Sequence, residues 1–206
     1  MSEYSHSSRE GLAPRTPEQN KIREKIEHQI EIISPEEYDK FALERRRDEF
    51  AVACRDLLER ELDPGKIYET LEVGAGTGIS TNRLNELNNL IVTALDKKKD
   101  FLEYAIKNGR VKKEQAVVGD FNQLPFTDES FDLYTGMAIL NQREDISGFY
   151  KEAVRVLKKD GLLFIPWTKT RANSIEREKS FFQQFAIDVK KEGDWFIIGK
   201  KINLSE

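Results

Sequence analysis

Apolar residues along this chain gather into short unbroken runs separated by stretches of helical spacing. The runs are Ile67 to Val73, Leu90 to Leu95, Gln115 to Val118, Ser130 to Met137 and Leu162 to Ile165. Each is short and β-branched or aromatic enough to read as a buried strand. Between them, Ser80 to Leu87, Lys99 to Asn108 and Ile146 to Lys158 read as helices. Gly109 stops the second, and Phe149, Ala153, Val156 and Leu157 form the apolar side of the third. A further helix is expected over Ala172 to Phe182. Strands alternating with helices make parallel βαβ units with right-handed crossovers. The last two runs, Phe185 to Val189 and Trp195 to Ile198, flank Lys191-Glu192-Gly193-Asp194 and read as a hairpin. That hairpin puts one antiparallel strand into a sheet expected to have seven strands and helices on both faces.

The N-terminal part has a different rhythm. Residues 1–17, rich in Ser, Arg and Pro, are expected to form a flexible arm. Ile22, Ile26, Ile30 and Ile33 then recur at helical spacing, and Ser34-Pro35-Glu36-Glu37 opens a second helix as N-cap, first helical position and capping glutamate. This second helix is expected to run on through Phe50, Cys54, Leu57, Leu58 and Leu62 until Asp63-Pro64-Gly65 ends it. The expected division is therefore 1–17 arm, 18–63 helical cap and 64–206 sheet domain. The cap either packs over the sheet edge or closes as a lid on substrate, and Tyr38 is a candidate for the substrate mouth. His28 lies off the isoleucine stripe and is expected in solvent, as is the Arg45-Arg46-Arg47 face.

Composition narrows the function. At 206 residues, with 38% hydrophobic and 34% charged positions, the chain suits one α/β domain with an extension. Thirty-three basic and 37 acidic residues leave a net charge of −4, which provides no global attraction to nucleic acid. No apolar stretch is long enough to span a membrane. Met1-Ser2-Glu3-Tyr4-Ser5-His6 lacks the basic-then-apolar pattern of a signal peptide, so a cytoplasmic location is expected. A single cysteine, Cys54, rules out an intrachain disulfide and a multi-cysteine zinc site, and its apolar neighbours place it in a core. Both histidines, His6 and His28, precede the sheet domain. A Ser–His nucleophile or a histidine metal centre is therefore not expected, and no metal site is assigned.

Candidate chemistry gathers where strands end. Gly74, Gly76 and Gly78 follow the first strand at alternate positions, so the backbone can turn sharply and a ligand can approach closely. The helix that follows would offer its first N–H groups to an anion. In an open parallel sheet, ligands sit at the carboxyl ends of the strands near the switch point. Asp96 ends the second strand, where a carboxylate can accept from both hydroxyls of a ribose. Asp120 follows the third, placed to accept from an exocyclic amine such as adenine N6, and Phe121 or Met137 can cover the ring. A dinucleotide site wants a third glycine one position later than this loop supplies, so one adenosine fits better than two nucleotides.

Glu72-Val73-Gly74-Ala75-Gly76-Thr77-Gly78 resembles the first motif of class I S-adenosylmethionine-dependent methyltransferases. Gly119-Asp120-Phe121 through Leu124-Pro125-Phe126 to Ser130-Phe131-Asp132 resembles a signature of the small-molecule branch related to ubiquinone and menaquinone methyltransferases. Glu152 to Gly161 is similar to that group's segment before strand five. The resemblance spans about residues 67–200 and implies a Rossmann-like fold. It implies S-adenosyl-L-methionine as cofactor, S-adenosyl-L-homocysteine as product, and a small-molecule acceptor. It puts Gly74 and Gly76 beside the methionine portion with Glu72 beneath, Asp96 at the ribose, and Asp120 and Phe121 at the adenine. With Ala75, Thr77, Lys97 and Met137 these make up the candidate cofactor contacts.

After strand four, where relatives carry a histidine pair or Asn-Pro-Pro-aromatic, this chain has Ile139-Leu140-Asn141-Gln142, which argues against methylation of base amines. No catalytic residue is assigned. The expected nucleophile is readily deprotonated, a carbon acid or a thiol, since placement beside an activated methyl needs no dedicated base. Alternatives are a non-catalytic partner subunit that keeps the cofactor seat, a methyltransferase acting on RNA or protein, and, on fold alone, a nicotinamide-dependent oxidoreductase.

Overall fold

The computed structural model describes residues 33–137, 147–166, 182, 184, 186–193 and 196–202. The chain divides into two compact units, Met1–Arg45 and Arg46–Glu206. The isoleucine-striped helix lies, apart from Ile33, outside the described residues, as do both histidines, residues 139–142 and the helix expected over 172–182 except Phe182.

In the first unit, helix α1 (Pro35–Glu44) starts as its residues dictate. The Ser34 hydroxyl accepts from the Glu37 N–H at 3.2 Å, and the Glu37 carboxylate accepts from the Ser34 N–H at 3.2 Å. The expected single helix through residue 62 is instead two. Arg46 takes a left-handed backbone (φ 55°), and α2 (Arg47–Glu61) begins anew. The buried stripe of α2, Leu58, Cys54 and Ala51, continued toward the N-terminus reaches Arg47 rather than an apolar residue. No apolar face holds the helix together across the three arginines.

The second unit is a seven-stranded sheet in the order β3-β2-β1-β4-β5-β7-β6. Its strands are β1 (Tyr68–Val73), β2 (Leu90–Asp96), β3 (Ala116–Val118), β4 (Phe131–Thr135), β5 (Leu157–Pro166), β6 (Ile187–Gly193) and β7 (Phe196–Lys201). The first five pair in parallel; β7 runs antiparallel to both its neighbours, which makes β6 parallel to the rest. The odd strand is thus one position in from the edge. Helices α3 (Ile79–Leu84), α4 (Lys99–Lys107) and α5 (Ser147–Val156) lie between strands. No helix of the described residues is long and apolar enough to cross a membrane.

Register sorts the side chains by face. Glu72, Ala94, Thr135 and Phe164 form one row across four strands, and Leu71, Tyr134 and Leu163 belong to the next. Alternation therefore sends the two rows to opposite faces. One face packs Leu71, Val73, Tyr134 and Leu163 against Phe149, Tyr150, Ala153 and Val156 of α5. The other packs Val92, Leu133 and Phe164 against Cys54 and Leu58 of α2 and Leu84 of α3.

Helix α5 ends two residues earlier than its pattern suggests, and β5 starts at once at Leu157. Leu157 pairs with Phe131, whereas Leu162 pairs with Leu133, so the extra residues bulge at Asp160 (φ 61°). Helical periodicity could not see this, because Val156 and Leu157 are apolar in either geometry. Below the sheet, Asp132 meets Lys66 at 2.9 Å and Lys158 at 2.7 Å, tying the starts of three strands together.

Candidate functional site

Strand order places the switch point at β1, whose neighbours β2 and β4 leave in opposite directions. The glycine loop lies there, between Val73 and α3. The Ala75 N–H donates to Leu95 O at 3.0 Å, and the Gly76 N–H to Asp96 Oδ2 at 2.8 Å. The other carboxylate oxygen, Oδ1, accepts from the Lys98 N–H at 2.8 Å. Asp96 is therefore the staple that closes the loop onto β2, a role its position alone did not reveal. Each oxygen keeps further lone-pair capacity for a hydroxyl donor. Burial raises its pKa, opposed by these two N–H groups and by the charges of Lys97 and Lys98.

Two glycines carry the loop's geometry. Gly76 sits at φ 55°, where its N–H can reach Asp96. Gly78 sits at φ 76°, and a Cβ there would stand 2.9 Å from Ala105 Cβ and 3.1 Å from Arg110 Cβ. The third glycine is thus a packing residue, letting α4 and the turn after it press against the loop. Arg110 Nη1 donates to Thr77 O at 3.0 Å. The Thr77 hydroxyl is buried and has no hydrogen-bond partner. Helix α3 is six residues long, and no side chain caps its start.

Glu72 lies beneath the loop and is fully buried. Its side chain faces α3. Oε1 accepts from the Ser80 hydroxyl and Oε2 from the Thr81 hydroxyl at 2.5 Å. Burial raises its pKa to about 7; the two hydroxyls oppose the rise and the Asp96 charge adds to it. Cys54 of α2 shares this environment: burial first, and then the Glu72 charge, push its thiol upward, so it is an inert core thiol as its neighbours implied. Thr135, in register with Glu72 at the end of β4, is a second buried hydroxyl without a partner. Inside an apolar run, nothing in the sequence marked it.

The remaining candidates sit at the β3 and β4 ends. The Gly119 N–H donates to Asp96 O at 3.0 Å, which sets Asp120 just beyond β3. Asp120 is exposed, and Oδ1 accepts from the Asn122 N–H at 2.8 Å, so the carboxylate shapes its own turn. Lys97 is exposed beside Asp96. The two ring-covering candidates belong to opposite faces. Phe121 stands edge-on to Phe149 at 6.0 Å in the α5 core, while Met137 is buried with Leu133 and Phe164.

The two downstream stretches turn out to be halves of one clamp. Glu152 Oε2 accepts from the Leu124 N–H at 2.7 Å. Arg155 bonds Glu152 at 2.7 and 2.8 Å, Phe126 O at 2.8 Å, Asp128 at 2.9 Å and Leu124 O at 3.2 Å. Residues 124–128 are held to α5 by one carboxylate and one guanidinium. Arg155 keeps the Glu152 carboxyl below its ordinary range.

Residues 71–165 match the family described as Methyltransferase domain. The chain is 32% identical over 111 residues to demethylmenaquinone methyltransferase of Corynebacterium kroppenstedtii, covering 54% of this chain and 46% of that protein. It is 32% identical over 109 residues to a sterol 24-C-methyltransferase of Aspergillus fumigatus, covering 50% and 29%. The matches thus span less than half the length of either relative. Among solved structures, an S-adenosylmethionine-dependent methyltransferase from Aquifex aeolicus superposes with a TM-score of 0.59 at 18% identity, over 72% of this chain and 89% of that one. One from Methanosarcina mazei does so at 0.56 and 18%, over 71% and 97%. At such identities the likeness is one of fold. The family match across residues 71–165, the sheet order with its one reversed strand and the glycine loop at the switch point make this stretch of the chain similar to a methyltransferase domain.

Proposed function

We propose that the domain is an S-adenosylmethionine-dependent methyltransferase acting on a small molecule. One observation carries the reading: at the switch point, Asp96 closes a glycine loop over the buried, unpartnered hydroxyl of Thr77. A buried polar atom without a partner costs stability, and it is tolerated where a ligand supplies the missing bond. The residues present fit a nucleoside with a charged tail. Gly76 and Thr77 would face the methionine portion, with Gly74 and Ala75 at the start of the loop and Lys97 beside the ribose. Asp96 would accept from the ribose hydroxyls and the free Asp120 oxygen from the adenine amine. Phe121 and Met137 would cover the ring from the two sides of the sheet top. Bound S-adenosylmethionine supplies a methyl on a positively charged sulfur, primed for displacement.

The chain's own part is placement and exclusion of water. Neither Glu72 nor Tyr134 is built for general-base work: both Glu72 oxygens are engaged under the loop, and the Tyr134 hydroxyl is buried in the α5 core. Two histidines in the whole chain, both before residue 30, leave the sheet domain without an imidazole. We therefore infer an acceptor that ionises by itself or reacts as a carbon acid. The names of the two curated relatives, one acting on a demethylmenaquinone and one on carbon 24 of a sterol, support a small organic acceptor.

Titration calorimetry with S-adenosylmethionine and S-adenosylhomocysteine tests the seat, with micromolar binding expected. Transfer of labelled methyl to a panel of quinols, sterols and thiols tests the chemistry. Binding without transfer to any acceptor would favour a non-catalytic subunit; absence of binding would sink the assignment.

A further inference from the structure

Glu72 is a candidate cofactor contact to which the functional reading gives no bond of its own. It is completely buried, it lies two residues before the loop, and its oxygens meet two neutral hydroxyls, Ser80 and Thr81 of α3. The other groups around it add no positive charge: Asp96 at the end of β2 is an acid, Cys54 of α2 a buried thiol, and Thr135 of β4 a hydroxyl. Among the described residues, no lysine or arginine pairs with it. A carboxylate sealed in this way is costly to ionise, and a cation brought close to it in a low-dielectric setting is strongly favoured.

The methyl donor and its product differ in the feature such a carboxylate senses. The donor carries a positive sulfonium, and the product carries a neutral thioether. We propose that Glu72 is a positioning residue that discriminates cationic donor from neutral product through its own protonation, shedding its proton to solvent when the donor binds and keeping it when the product binds. This rests on the donor reading above. Burial holds the carboxyl near neutrality, so the exchange falls within the working range of pH. Asp96 points the same way, because an ionised Asp96 keeps the proton on Glu72 until a cation arrives.

The test is the ratio of product to donor dissociation constants, measured by calorimetry at pH 6, 7 and 8. The α-amino and carboxyl groups are common to both ligands and largely cancel in the ratio. The ratio should rise with pH, by about tenfold for each unit by which the sulfonium lowers the carboxyl's pKa. In Glu72→Gln the rise should vanish. In Ser80→Ala, which removes a hydroxyl that favours the ionised form, it should move to higher pH. A wild-type ratio that stays flat from pH 6 to 8 overturns the proposal without any variant, and so does an equal rise in Glu72→Gln. If neither ligand binds at any pH, the donor reading itself fails and the proposal falls with it.

Discussion

Asp96 joins a structural role to the ligand role proposed for it. Its two oxygens accept from Gly76 and Lys98 and hold the loop over the strand ends. In Asp96→Asn the amide NH₂ would face one of those donors, so one backbone N–H goes unsatisfied, at a cost of about 1–3 kcal/mol. We expect a lower urea midpoint together with at least a tenfold loss of donor binding. Thr77 gives the opposite signature. Its hydroxyl is buried and unpaired, so Thr77→Val should leave the ligand-free protein as stable as before or more so. Donor affinity should nonetheless fall several-fold. A variant whose melting temperature and affinity fell together would deny the hydroxyl a ligand.

At the scale of elements, the site depends on how closely helices reach the strand ends. Gly78 lets α4 and the following turn meet the loop. Gly78→Ala places a Cβ 2.9 Å from Ala105 Cβ at a left-handed φ of 76°, so a loss of about 1–3 kcal/mol is expected in chemical denaturation. The Glu152–Arg155 clamp acts on the other side, pinning residues 124–128 to α5. Removing the guanidinium leaves a partly buried carboxylate and two carbonyls short of partners. Arg155→Ala should therefore speed amide hydrogen exchange across 124–128 before it affects β1 or β2. Uniform acceleration over the whole sheet would mean that the clamp supports the global fold, not the loop.

Over the whole molecule, two opposed sets of carboxyls shape stability against pH. Hydrogen bonds to Arg83 lower the pKa values of Asp48 and Glu86, and Arg155 does the same for Glu152; at Asp132 burial pushes upward, but Lys158 and Lys66 outweigh it. Depressed carboxyls contribute stability that is present above their unfolded values near 4 and lost as pH falls through the folded ones. Glu72 is the reverse case, raised to about 7. The folded state holds its proton where the unfolded chain has released it, so stability declines as pH climbs from about 4.5 to 7 and then levels. Denaturation midpoints should be highest on the mildly acid side of neutrality. Glu72→Gln should flatten the decline toward pH 7 while leaving the acid limb in place.

Much of this was legible in the chain. Five apolar runs, a glycine loop and a closing hairpin were enough for a seven-stranded mixed sheet, because each rests on local spacing that any fold of the chain must honour. The acids at successive strand ends were legible for the same reason, since a strand's end is a position in the sequence. What each acid does there was decided only by tertiary structure. Asp96 became the staple of the loop once β1 and β2 lay side by side, and Asp120 turned one oxygen onto its own loop. Glu72 acquired its neutral surroundings when α3 folded over β1. The break at Arg46 and the early end of α5 depended on which face found a partner, and apolar pattern alone does not say which partner comes. Spacing along the chain determines which groups can meet at the switch point; burial and register decide what charge they carry when they do.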